Sequence, residues 1–301
     1  MNIPGDLART SPDEDRHAGR PPGTVALARL RRRRFHALRL TWCVTKVNFR
    51  ASLEYRGDFL LAIVSGIIWQ ASVLVLATVL VNRFPNLAGW TKGEILLVAA
   101  LRLLSHGLYV AGFASLAALP RIVQEGKVET FMLRPLSVYR QVLFDKLFLN
   151  AIGDLAVAVT LFTIAVPEMD VDWTAQHVGY LILAVAGGVF LEASLHTVIA
   201  CFALRSISTI PWSQWIDELL ATFGSYPLKI FPLNVQVLFT FVIPIAFIGY
   251  VPAAQIAGKT ADLPFPPWLA LAAPFVGILA FTAARLLFAA GLRKYTGVGG
   301  V

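Results

Sequence analysis

VGYLILAVAGGVFLEASLHTVIACFAL occupies residues 178–204. Apart from Glu192 and His196 it carries no ionisable group beyond its tyrosine and cysteine, and it exceeds the roughly 20 residues needed to cross about 30 Å of hydrocarbon. Backbone polar groups in lipid are satisfied only within a helix or a closed barrel. The run lacks the alternating pattern of a barrel strand, so it predicts a transmembrane helix. Comparable runs lie at 58–81, 94–119, 145–166 and 267–291. The whole chain of 301 residues is 57% hydrophobic and 15% charged, against about 45–50% and about 25% in soluble domains, which excludes water as its main solvent.

A fifth span has two readings. Residues 206–226 hold Trp212, Gln214, Asp217 and Glu218 and are moderately apolar, whereas 234–250 is strongly apolar but short, with Pro232 and Pro252 at its borders and Pro244 inside. Either the first segment crosses and the second dips back as a re-entrant helix, or the first lies at the interface and the second crosses. Both give the same parity. Re-entrant backbone requires a protein wall or a water-filled cavity to cover it.

Residues 1–34 are polar, Pro-rich and Arg-rich and end in Arg31, Arg32, Arg33 and Arg34. They predict a disordered basic cytoplasmic tail, with no apolar stretch of the kind a cleaved leader needs. Over 35–57, Leu38, Trp42, Phe49 and Leu53 recur at helical spacing with Arg39, Lys46, Arg50 and Arg56 elsewhere, an amphipathic interfacial helix. A single transmembrane domain is expected over 58–291, with a cytoplasmic loop at 120–144 and a cytoplasmic tail at 292–301. Alternate loops set the orientation. Arg121, Lys127, Arg134 and Arg140 share a side with the basic amino terminus and with Arg293 and Lys294, while 167–177 has Glu168, Asp170 and Asp172 and no Lys or Arg. By the positive-inside rule both termini are cytoplasmic and the number of spans is even. The same rule and anionic lipid account for the net charge of +8 without nucleic acid. Cys43 and Cys201 form no disulfide framework or metal pair.

The sequence has no phosphate-binding Gly-x-x-x-x-Gly-Lys-Ser/Thr loop, no Ser/His/Asp set and no His-Glu-x-x-His helix, so no catalytic residue and no cofactor site is assigned. Ionisable residues inside the spans form one constellation. Arg102 and His106 are four apart on one helix face, as are Glu192 and His196, and Asp154 lies in the third span. Counting about 1.5 Å per residue puts His106, Asp154 and Glu192 at a similar depth. Such groups face the bundle interior and pair, which makes a structural network the first expectation and a substrate path or proton relay the second. Histidine and carboxylate are zinc-compatible ligands, but the spacing specifies no tetrahedral geometry and no metal site is assigned.

The 120–144 loop contains Gly126-Lys127-Val128-Glu129-Thr130-Phe131-Met132-Leu133-Arg134-Pro135-Leu136. Its glycine can end one short helix before another begins. This run resembles the characteristic loop of ATP-binding-cassette permeases of the second exporter class (ABC-2 type): Gly, a few residues including an acidic one, then Leu-Leu-x-Arg-Pro. The resemblance continues, in family order, in LEYRGDF at 53–59, SYPLKIFP at 225–232, VIPIAFIGYVPA at 242–253 and GLRKYTGVGG at 291–300. Glu129 stands where the family more often has Asp.

The resemblance implies an all-α polytopic membrane protein of about six transmembrane helices, with an amino-terminal interfacial helix and a re-entrant segment before the last span. It implies a transport subunit in the inner (plasma) membrane, not an enzyme, which pairs with a second copy or a sister permease and binds two copies of a separately encoded ATPase that holds ATP and Mg. Gly126, Glu129, Phe131, Arg134 and Pro135 then form the ATPase-coupling loop, and Pro227, Pro232, Pro244 and Pro252 flank re-entrant segments. The expected function is export of a hydrophobic, amphipathic or lipid-like compound. The alternative is an ATP-independent ion- or proton-coupled carrier using His106, Asp154 and Glu192. Such carriers commonly show internal repeats, and none is evident between 58–166 and 178–291. A membrane enzyme ranks third.

Overall fold

A computed structural model of the chain describes residues 46, 56–83, 88–134, 136–144, 148–205 and 209–295. The expected tail at 1–34, nearly all of the interfacial segment at 35–57, Pro135 and the last residues of the carboxyl-terminal tail lie outside the described residues. Every element below belongs to the unit Asn48–Val301.

The protein is all-helical, with no strand among the described residues. Helix α1 runs Arg56–Arg83, α2 Lys92–Phe113, α3 Leu119–Gln124, α4 Lys127–Met132, α5 Val138–Leu143 and α6 Asn150–Ala165. They are followed by α7 Ala175–Ala203, α8 Ile210–Phe223, α9 Leu233–Val237, α10 Tyr250–Ile256 and α11 Ala273–Arg293. Four helical stretches are long and apolar enough to cross a membrane: Lys92–Gln124, Asn150–Glu168, Ala175–Ala203 and Pro267–Arg293. Shorter apolar helices lie at Phe59–Ser72, within α1, and at Leu233–Val242. The chain is a polytopic membrane protein.

Local chemistry sets the helix ends, and explains small departures from the expected spans. Helix α2 starts at Lys92 because Thr91 and Glu94 form a reciprocal capping box: Thr91 N–H donates to Glu94 Oε2 at 2.7 Å, and Glu94 N–H donates to Thr91 Oγ1 at 3.5 Å. Thr174 caps α7, its hydroxyl accepting from His177 N–H, so that helix begins ahead of residue 178. Pro267 opens a 3₁₀ turn through Ala272, and regular α-helix begins only at Ala273, later than the expected start of the last span.

Helix α2 is the hub, packed against α6, α7, α10 and α1, and from Ile95 to Leu103 every residue is buried. Helix α7 crosses α11 closely because glycines face each other there. A Cβ on Gly187 would lie 2.7 Å from Pro274 Cα, and one on Gly277 would overlap the Gly187 backbone. Gly66 of α1 and Gly153 of α6 play the same part, since a Cβ on Gly66 would meet Asn150 O at 2.6 Å. Small residues at such crossings let backbones approach where lipid supplies no hydrophobic drive between helices.

In the region of the fifth span, α8 packs into the bundle and the segment after it folds back. Helix α8 begins beside the 3₁₀ turn Ala114–Ala118 that leads into α3, where Ser213 Oγ donates to Ala117 O, and its 14 residues cover only about 21 Å. The chain then runs irregularly from Gly224 through a 3₁₀ turn at Leu228–Ile230, reaching Lys229, which pairs with Asp262 at 2.6 Å. Helix α9, extended by a π turn over Leu238–Val242, folds back and sets Phe239 against Phe223 with ring centroids 4.4 Å apart. Gly249 backs onto Val98 and Arg102, and α10 returns to Trp90, whose ring is 5.3 Å from that of Tyr250. The hairpin therefore dips to the depth of Arg102 and comes back. Its wall is α2 and α7.

Trp90, just ahead of α2, is fully buried and donates Nε1–H to Asp262 Oδ2 at 3.1 Å.

Candidate functional site

Two apolar clusters divide the bundle. One surrounds Trp90, Ile95–Leu103 and Tyr250; the other surrounds Tyr109, Leu116, Val128, Tyr139 and Phe288. Between them lies a polar waist. His106 Nδ1 is 2.6 Å from Glu192 Oε1, and Glu192 is 1% exposed. One helical turn along α7, His196 Nε2 lies 3.1 Å from Asp217 Oδ1 on α8, while its Nδ1 is 3.3 Å from Ser213 Oγ. The Tyr109 ring stacks on His196 at 5.1 Å and 13°. Asp154 sits beside Gln70, within electrostatic reach of His106 and Arg102. Arg102 is buried, its Nε without a hydrogen-bond partner, and it takes part in none of the described ion pairs within 4.0 Å.

The structure thus brings Arg102, His106, Asp154, Glu192 and His196 into one neighbourhood. Sequence reasoning missed Asp217, Gln70, Tyr109 and Ser213 as members. Asp217 was visible as a carboxylate in an apolar segment, but its partner depended on whether that segment crossed. A cavity of about 820 Å³ opens onto the waist, lined by Trp69, Gln70, Arg102, His106, Tyr109, Asp154, Asp217 and Glu218 among others. That size falls in the range of small-molecule sites.

The loop lies at the other side of the lower apolar cluster. A 3₁₀ stretch at Ala114–Ala118 joins α2 directly to α3, and Gly126, at φ 69° and ψ 8°, makes the left-handed turn into α4. Only glycine adopts that conformation without a steric cost. Val123 and Val128 are buried on opposite sides of the turn and hold the pair of helices down. Lys127 pairs with Glu125 at 2.6 Å, and the Arg134 guanidinium lies 5.6 Å from the Phe131 ring centroid. Gln141 Nε2 donates to Phe131 O and to Leu136 O, both at 2.8 Å, closing the segment that follows α4. Glu129, Met132, Leu133 and Arg134 remain exposed, Leu133 at 88%. Burial raises the Tyr295 phenol above its ordinary pKa, with Glu129 nearby adding to the shift, so the end of α11 borders this loop.

A family model described as "ABC-2 family transporter protein" matches residues 67–299. The chain belongs to the ABC-2 transporter family. Comparison with curated proteins and with solved structures returns no match. ABC-2 permeases are membrane transport subunits that generally lack an ATPase site and associate with ATP-binding-cassette partners. The matched region takes in the waist, the loop and the re-entrant hairpin of this ABC-2 protein.

Proposed function

We propose that the protein is the permease subunit of an ATP-driven exporter in the inner membrane, with both termini cytoplasmic. Two copies of a separate ATPase, holding ATP and Mg, engage the α3–α4 loop. A second copy of this chain or a sister permease completes the transmembrane pathway. The observation that carries the reading is the loop itself, in a chain of the ABC-2 family. Two short helices hinged at Gly126 are anchored underneath by Val123 and Val128 and present Glu129, Met132, Leu133 and Arg134 outward. That is a preformed surface for a partner, with apolar anchors beside charges. The cavity, walled by Trp69, Tyr109 and Val110 as well as charged groups, suits an amphipathic compound better than a hydrophilic one.

Co-expression with a candidate ATPase tests this. The tagged chain should retain the ATPase through purification, and Leu133→Asp or Arg134→Glu should reduce retention at least about tenfold, as loss of an interface anchor does, with unchanged thermal melting. Retention indifferent to both substitutions would remove the coupling role. Transport that persists without nucleotide and collapses with the proton gradient would favour the ATP-independent carrier instead.

A further inference from the structure

We propose that Glu192, His196 and Asp217 form a binding site for a zinc-class divalent cation that ties α8 to α7. A carboxylate oxygen from each acid and a ring nitrogen of His196 all lie within 4.8 Å of one another. Bonds of about 2.0–2.2 Å in tetrahedral geometry put ligand atoms roughly 3.3–3.6 Å apart, so little movement is needed to close the set.

The setting of His196 gives the second argument. Its side chain is wholly buried. Ser213 Oγ, which donates to Ala117 O, lies 3.3 Å from Nδ1. Nε2 is 3.1 Å from the Asp217 carboxylate yet has no aligned hydrogen-bond partner. A cation bound off the line joining them would use that nitrogen, and a serine at the opposite ring nitrogen is the outer contact a metal-bound histidine uses. His106 supports Glu192 from behind in the same way, at 2.6 Å.

Charge points the same direction. The waist gathers Asp154, Glu192 and Asp217, with Glu218 on the cavity wall, beside the guanidinium of Arg102 and the rings of His106 and His196. A dication offsets the excess in a setting where unpaired charge is costly. Mixed nitrogen and carboxylate donors favour zinc over magnesium or calcium, which prefer oxygen alone. Asp217 has a half-exposed side chain lining the cavity, so an ion has a route in.

The test uses the full chain in detergent after chelator treatment. Zinc titrated by calorimetry should bind at one equivalent per chain and raise the melting temperature, and cobalt should give the absorption of a tetrahedral site. His196→Ala and Asp217→Asn should each weaken zinc at least about 100-fold, while His177→Ala, at a half-buried histidine elsewhere, should leave it unchanged. Asp217 is exposed enough for its variant to fold, and the cobalt spectrum needs no variant. A wild-type chain without a tetrahedral cobalt spectrum, or with zinc affinity equal to that of His196→Ala, would reduce the cluster to ion pairs. Neither readout depends on an ATPase partner, so failure here leaves the export reading untouched.

Discussion

His106 and Glu192 pair across two helices with the carboxylate almost wholly out of solvent. Such a pair costs desolvation to assemble, and breaking it from one side leaves a charge with nothing to balance it. His106→Leu should therefore destabilise by about 3–5 kcal/mol, whereas His106→Leu with Glu192→Leu should recover much of the loss. Melting of the single and double variants in one detergent measures both, and a double variant no better than the single would show that Glu192 is not left stranded. The pair was legible in outline, because two four-residue spacings and a count of helical rise put both groups at one depth. Asp217 was not, because its contact with His196 depends on the rotation of a helix whose existence the sequence left open. Among the described residues Arg102 makes no such close pair, and it lies against the backs of Gly224 and Gly249. Hydropathy carries no information on such contacts.

Among the elements, the crossing of α7 and α11 is the most sensitive to size. Gly277→Leu should drive the helices apart and lower the yield of monodisperse protein in size-exclusion chromatography. Gly179→Ala, where a Cβ meets nothing within 4 Å, should be neutral or stabilise by up to about 1 kcal/mol through helix propensity. Equal tolerance at both positions would contradict the packing. The re-entrant hairpin is pinned at its open end by Asp262 and by Lys259, which pairs with Glu94 at 3.1 Å. Asp262 takes Lys229 and Trp90 on its carboxylate and the Tyr250 hydroxyl on its carbonyl. Asp262→Ala should speed maleimide labelling of a cysteine placed at Ile245, which is fully buried at the hairpin's turn; unchanged rates would mean that Asp262 is not what holds it closed. The prolines at 227, 232, 244 and 252 marked this region as broken helix. They could not say how the pieces are arranged, since α8 is short by itself and its continuation to the Lys229–Asp262 ion pair follows from long-range contacts.

For the molecule as a whole, the apolar runs made the class readable at once, and the distribution of Lys and Arg made an orientation readable. The internal layering into two apolar clusters with a polar waist between them was not, because it arises from which faces meet. The orientation predicts that a cysteine at Asp170 is labelled by impermeant reagent from outside and one at Thr130 only after permeabilisation. The reverse pattern would invert the proposed mechanism. One consequence of the architecture is mechanical. Lys92–Gln124 is a single helical stretch of 33 residues, on the order of 50 Å, which starts at the capped end beside Trp90 and runs without a loop to the hinge at Gly126. A push on that hinge acts on a rod whose far end is clamped by ion pairs. The tighter 3₁₀ winding at Ala114–Ala118 is the one place along it where torsion has a joint to work on.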